Sequence, residues 1–271
     1  MWAAGVSFEC HGLRIGVRVS EAAALPSVVE RLPPGWRRTR SMVVDRLYSV
    51  VVGGPGARLG VRRLSLAYVD GAALARGRDL ETALDAFESH LHLFVAERAR
   101  RLVFVHAGVV AIRGRAVLLP GRSGAGKSRL VAALLRSGAV YYSDEFALVD
   151  SRGRVLPFPV PLSLRANAGS RPSRTPAERL GVPVGSKPLP VGLVVVSRYR
   201  TGARWRPRRL SPGRGLLRLL ANTVPARSRP AAVLSHLRRV VTRAPVFAGV
   251  RGDAEQVLAW LPRVLGPPGS S

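Results

Sequence analysis

Cysteine is all but absent from this sequence: Cys10 stands alone, which excludes an internal disulfide framework and any cysteine-rich metal site. Lysine is nearly as scarce, since Lys127 and Lys187 are the only two among 43 basic residues. Acidic residues number 16, leaving a formal charge of +27. No apolar run is long enough to span a bilayer. The opening MWAAGVSFEC lacks a basic stretch followed by an apolar one, so no signal peptide and no membrane association are expected, and the expected compartment is the cytoplasm.

What is present argues for a folded protein. Hydrophobic residues make up 47% and charged residues 22% of the 271 positions, enough for one large domain or two modest ones. The basic excess suits a polyanion partner, whether nucleic acid, an acidic protein or a membrane surface. The arginines, however, are spread along the chain, as a compositional bias that replaces lysine would spread them. The densest group, Arg198 to Arg209, has no aromatic ladder beyond Tyr199 and Trp205. That distribution argues against nucleic acid as a partner, while a positive surface favours a nucleotide and an acidic protein substrate.

Residues 1–100 read as a smaller α+β N-terminal module, a candidate for substrate recognition. Gly12 to Ser20 alternates like a strand, Glu21 to Leu32 reads as a short helix, and Ser41 to Val52 and Leu59 to Val69 are strand-like around Gly53-Gly54-Pro55-Gly56. Asp79 caps a helix through about Arg100 with Leu80, Ala83, Leu84, Phe87, Leu91 and Phe94 on one face. His90 and His92 fall on different faces of it, which argues against a shared metal; His11 and His236 read as surface or packing residues.

Residues 101–271 read as a second, α/β domain. Leu102 to Ile112 and Ala116 to Pro120 form a strand pair about Arg113-Gly114-Arg115, and Ala139 to Tyr142 is a short buried strand. That strand delivers Asp144 and Glu145 at its carboxyl end, where open α/β sheets place ligands. Asn167 to Pro190 reads as a mobile surface loop, and Pro190 to Ser197 as a buried strand. Helices are expected from Ser211-Pro212 to about Thr223, from Pro230 to about Arg243, and from Asp253 through Leu265, with a strand at Val246 to Val250.

The second domain is organised around Gly121-Arg122-Ser123-Gly124-Ala125-Gly126-Lys127-Ser128, which satisfies the phosphate-binding P-loop pattern G-x-x-x-x-G-K-[ST]. Glycines let the backbone wrap an anion so that successive N–H groups face it, and the following helix adds its dipole. Lys127 reaches the β- and γ-phosphates and the Ser128 hydroxyl ligates Mg²⁺. A phosphotransferase also needs a group that orients or deprotonates the acceptor. Of Asp144 and Glu145, one can hold the metal while the other faces the acceptor, and His106 can lie over the same site and tune a neighbouring carboxylate.

The string HAGVVAIRGRAVLLPGRSGAGKSRLVAALLRSGAVYYSDEFALVD resembles the catalytic domain of HPr serine kinase/phosphorylases. It shares a histidine, a strand pair, a P-loop of the form G-x-S-G-x-G-K-S, a helix and then an acidic pair. The resemblance implies a P-loop kinase domain of the HPr kinase/PEP carboxykinase-like type, ATP and Mg²⁺ as cofactors, Asp144 as catalytic base helped by His106, Lys127 as a catalytic residue on the phosphates, and Ser128 with Glu145 at the metal. Departures are the Asp-Glu pair, where the family usually has Asp-Asp, and the lack of a later R-G-x-G-I-like run, whose place is taken by Pro157 to Arg165. These point to a divergent kinase that phosphorylates a serine on a small protein or peptide. Self-association into a homo-oligomer is compatible with the resemblance, and Arg165, Arg198 and Arg200 are candidates to approach the phosphate or the substrate.

Two further readings follow from the same residues. A relative without chemistry would bind a nucleotide and regulate a partner, and a nucleic-acid-stimulated ATPase would account for the charge.

Overall fold

The computed structural model describes residues 1–55, 62–121, 124–164 and 173–266 and divides the chain into two units, Met1–Arg100 and Arg101–Ser271. Both are mixed α/β, and among the described residues there are six α-helices and several sheets. No helix among them is long and apolar enough to cross a membrane.

In the first unit, β1 (Ala4–Cys10) and β2 (Leu13–Val19) are joined by His11 and Gly12, both at positive φ, as a two-residue antiparallel turn requires. The short helix α1 (Leu25–Val29) and the two-residue strand β3 (Arg37–Arg38) precede β4 (Arg46–Val51). A small ribbon of β5 (Gly54–Pro55) and β6 (Arg62–Arg63) then leads to β7 (Ser65–Val69) and β8 (Ala72–Gly77), which turn about Asp70-Gly71. The six-stranded order is β3-β1-β2-β4-β7-β8. β1 and β8, absent from the sequence reading, are rich in small residues, so their composition carries little strand signal.

Helix α2 (Leu80–Arg98) closes this unit. Asp79 caps it by accepting from the Thr82 N–H over 2.7 Å. Its buried stripe holds Ala83, Leu84, Phe87, Leu91 and Phe94, as the periodicity predicts. Arg31 fastens three acids along it, reaching Glu81 at 2.5 Å, Asp85 at 2.9 Å and Glu88 at 3.1 Å. His92 is buried, while His90 pairs through Nδ1 with the Tyr48 hydroxyl at 2.9 Å.

The second unit contains β9 (Val103–Ile112), β10 (Arg115–Pro120), α3 (Lys127–Arg136), β11 (Val140–Ser143), β12 (Phe146–Val149) and β13 (Arg154–Leu156). The ribbon β14 (Leu162–Leu164) and β15 (Ser173–Thr175) follows, then the long β16 (Leu189–Tyr199) and β17 (Arg208–Leu210). Helices α4 (Pro212–Leu220) and α5 (Pro230–Arg243), strand β18 (Val246–Arg251) and α6 (Ala254–Leu265) complete it.

This sheet is mixed rather than openly parallel. β10 runs antiparallel to β9 and parallel to β16. The series β9–β12–β13–β16 returns to β10, so the strands close on themselves. β11 delivers Asp144 and Glu145 at its carboxyl end as expected, but it lies antiparallel on β9, in a mixed rather than an openly parallel sheet. Ala116 to Leu119 are buried without alternation, as a strand covered on both faces requires. One face packs Leu219, Val233, Leu237 and Val240 from α4 and α5; the other packs Leu130, Val131 and Leu134 of α3 with Val257 and Leu261 of α6.

The expected mobile loop at 167–190 is also corrected where it is described. β15 pairs with β14, Ala177 is buried, and Tyr141 donates to the Pro183 carbonyl and accepts from the Gly185 N–H, each over 2.8 Å. Proline and glycine there make a fitted cover, because a Cβ at Gly185 would overlap the Tyr142 ring.

Helix α3 rests on β9 at Gly108, where an added Cβ would lie 2.6 Å from Val131 Cγ2. Gly108→Ala should therefore overpack the contact and lower stability by about 1–3 kcal/mol in urea denaturation. Val131→Ala in that background should recover part of the loss. Equal loss in the double variant would show that the strain lies elsewhere.

Candidate functional site

The P-loop leaves β10 at Pro120, and α3 begins at Lys127. Gly124 (φ +82°) and Gly126 (φ +78°) adopt the left-handed backbone that the turn demands. Lys127 folds back over the loop, its Nζ donating to the Gly121 carbonyl over 2.6 Å. The loop is tied to β9 by the Gly121 N–H, which donates to the His106 carbonyl over 3.3 Å. Ala125 and Gly126 follow within the turn, whereas Arg122, Ser123 and Arg165 lie outside the described residues.

The acidic pair reaches this loop through a serine turn. Ser143 ends β11, and its Oγ accepts from the Glu145 N–H at 3.2 Å and the Phe146 N–H at 3.1 Å. Asp144 is thereby carried into the protein and is 8% exposed. Burial pushes its pKa up to about 6, against the opposing pull of the Ser128 hydroxyl, the Ser163 N–H and the Lys127 charge. The Ser163 N–H donates to Oδ2 over 3.4 Å; Oδ1 is buried without a hydrogen-bond partner among the described residues. An orphaned carboxylate oxygen at the start of α3 is an uncommon arrangement, because buried acceptors are usually satisfied.

Lys127 and His106 complete the cluster. Burial lowers the Lys127 pKa, while the charges of Asp144 and Glu145 raise it. Burial also lowers that of His106, helped by Lys127 and opposed by Glu145. The His106 backbone is held by Asn222, whose carbonyl accepts its N–H at 2.7 Å, and its ring meets Phe146 edge-on at 5.6 Å. Lys127, Ser128, Asp144, Glu145 and His106 thus form one electrostatically coupled group.

Sequence reasoning missed Arg251, one arginine among many, at the end of β18. It is 2% exposed and donates from Nη2 to the Gly126 carbonyl over 2.6 Å. Nε reaches Ser197 Oγ at 3.3 Å, Nη1 reaches the Gly252 carbonyl at 3.1 Å, and the guanidinium lies 5.6 Å from the centre of the Tyr199 ring. The signal available in the sequence was its place directly after the strand expected at Val246 to Val250; the structure runs that strand parallel to β16, which lies beside the P-loop strand. A Cβ on Gly126 would come 2.6 Å from Nη2, so loop and arginine are fitted to one another.

No family model and no curated protein matches this chain. Among the described residues, no group of three or more His, Cys, Asp or Glu is arranged to hold a metal. Ser128 with one acid therefore leaves most of a cation's coordination to phosphate oxygens and water, which is how magnesium is commonly held beside nucleotides. The orphaned Asp144 oxygen, the Ser128 hydroxyl and the inward-folded lysine fit that use.

Two predictions follow from burial. A carboxyl whose folded pKa is raised binds its proton more tightly in the native state. Its burial penalty is absent below about pH 4 and complete above about pH 6. Without nucleotide or divalent cation, Asp144→Asn should be more stable than the parent at pH 7 by up to about 3 kcal/mol, and urea midpoints should converge toward pH 4. A constant difference across that range would refute the buried, proton-binding carboxyl. Arg251→Gln should lower stability by about 2 kcal/mol in the same assay, and an unchanged midpoint would show that the Gly126 contact carries no energy.

Proposed function

We propose that this chain is an ATP-dependent kinase of the HPr kinase/PEP carboxykinase-like P-loop type that phosphorylates a serine hydroxyl on a small protein or peptide. The observation that carries this reading is the buried Asp144, with an unpartnered oxygen, set between Lys127 and the Ser128 hydroxyl. A structural acid in a turn would be solvated or fully bonded. This one keeps free acceptor capacity beside an anion-binding loop. The same reading places the protein in the cytoplasm, where ATP and magnesium are available.

In this reading Lys127 and the loop amides hold the β- and γ-phosphates, and Ser128 with Glu145 holds Mg²⁺. When bound, the metal supplies neutralisation of the phosphate charge. Asp144 orients the acceptor serine and accepts its proton as the serine oxygen bonds to the γ-phosphorus and the bond to the β,γ-bridging oxygen breaks, leaving ADP. A carboxylate with a pKa of about 6 is largely ionised at neutral pH yet basic enough to share that proton. Burial and the Lys127 charge lower the pKa of His106, so at neutral pH its ring adds no positive charge beside the acids.

The Ser128–Asp144 hydrogen bond favours a second division of labour, with Asp144 at the metal and Glu145 facing the acceptor. Calorimetry and phosphoryl transfer from γ-labelled ATP to serine peptides separate the two. Lys127→Ala should abolish nucleotide binding or transfer in either case. Under the first division Asp144→Asn keeps Mg-ATP binding and loses transfer by at least about a hundredfold; under the second it is Glu145→Gln that does so. Nucleotide binding with no labelled phosphoester would make the protein a nucleotide-responsive regulator, and no heat with Mg-ATP would end the nucleotide reading altogether.

A further inference from the structure

From Arg179 to Gly252 the sequence contains 16 lysines and arginines and not one aspartate or glutamate. Within that stretch Arg198, Arg200, Arg204, Arg206, Arg208 and Arg209 are all exposed, and none forms an ion pair among the described residues. Six like charges on twelve consecutive residues repel one another, so the arrangement is unfavourable until an anion meets it.

The backbone beneath these arginines is fixed. The Arg200 N–H donates to the Arg251 carbonyl at 2.9 Å, and the Ala203 N–H to the Arg200 carbonyl at 3.1 Å. Gln256 of α6 clasps the turn, its Oε1 accepting from the Trp205 N–H at 2.6 Å and its Nε2 donating to the Ala203 carbonyl at 3.4 Å. Trp205 packs edge-on against Trp260 at 5.5 Å, and Gly252 lies so near that a Cβ would sit 2.4 Å from the Ala203 carbonyl oxygen. Arginines held on such a base lose little backbone entropy on binding.

The strip starts at the P-loop. Tyr199, between its first two arginines, packs so closely that a Cβ on Gly126 would lie 3.3 Å from Tyr199 Cβ. The backbone at the start of the strip therefore lies beside the P-loop turn. Its chemistry follows from what the strip offers. Planar guanidinium groups pair two-pronged with carboxylates. Stacking surface for bases is meagre, because Trp205 is turned inward onto Trp260 and Tyr199, 41% exposed, is the single aromatic ring left outward. Single-stranded nucleic acid, which is held by stacking as well as by charge, is the poorer match.

We propose that the strip Arg198–Arg209 docks an acidic segment of the acceptor chain, placing carboxylates beside the serine that receives the phosphoryl group. This rests on the kinase reading above for the word acceptor, but the docking itself does not. The test uses the full chain and a fluorescein-labelled peptide with aspartate and glutamate flanking one serine. The controls are the same peptide with glutamine for each acid and an oligo-dT strand. Anisotropy without nucleotide should show binding of the acidic peptide that weakens with salt and is about tenfold tighter than that of the glutamine peptide. The triple variant Arg204→Gln, Arg206→Gln, Arg209→Gln should weaken it about tenfold while leaving Mg-ATP calorimetry unchanged. Equal binding of both peptides, indifference to the triple variant, or tighter binding of oligo-dT through the same arginines overturns the proposal. Acidic-peptide docking without phosphoryl transfer removes the kinase reading and leaves the surface, whereas transfer that ignores the acids leaves the kinase and removes the surface.

Discussion

Asp144 is a carboxyl group taken out of water at the start of a helix, beside a lysine that is itself partly buried. Neither charge would persist there alone, because desolvation favours the neutral form of each. Together with the Ser128 hydroxyl they hold one another, and the rest of the second unit imposes their meeting. β9 carries the bare Gly108 that lets α3 approach, and its antiparallel partner β11 carries the serine turn that brings Asp144 in. The closed run of strands leaves little freedom to relieve the burial by moving either element.

That closure also explains how the P-loop keeps its shape. Its entry is bonded to β9 through Gly121 and His106, and its exit to β18 through Gly126 and Arg251. β9 flanks the P-loop strand directly, while β18 is one strand further out, beyond β16. The loop is therefore braced from two strands rather than from its own glycines. Glycine at 126 serves both the left-handed turn and the space that Arg251 occupies.

How much of this could be read beforehand differs from element to element. The sequence bounds helix α5 at Pro230 and Arg243, and α2 at its Asp79 cap, because a helix announces itself through local caps and a period of 3.6. The P-loop octet and the acids after it were legible for the same reason, since their pattern is short-range. Strands β13 and β17 are three residues each, and their pairing partners lie far along the chain or depend on turns, so no local pattern marks them. The segment before β16 read as a loop because Pro, Gly and Ser dominate it, although its backbone is bonded to Tyr141. Arg251 is hidden by abundance: in an arginine-rich chain the residue type carries no information, and its place at the end of a strand is the one local sign of it before burial singles it out.

The same abundance has a consequence for the site's electrostatics. An ordinary surface mixes both signs, so distant charges largely cancel and Debye screening removes most of what remains. Between Arg179 and Gly252 there is no acid to cancel anything, and that stretch supplies β16 and β18, whose ends reach the P-loop at Tyr199 and Arg251. The field at the loop is consequently positive from Lys127, from the α3 N-terminus and from the arginines at once. Asp144 and Glu145 are a negative island within it. A carboxylate in that field is held closer to ionised than burial alone would leave it, and the charge of Lys127 acts on Asp144 in that direction. The basic surroundings therefore oppose the desolvation that raises the acid's pKa, and the balance of the two keeps it near neutrality, where a single proton can be taken up and given back.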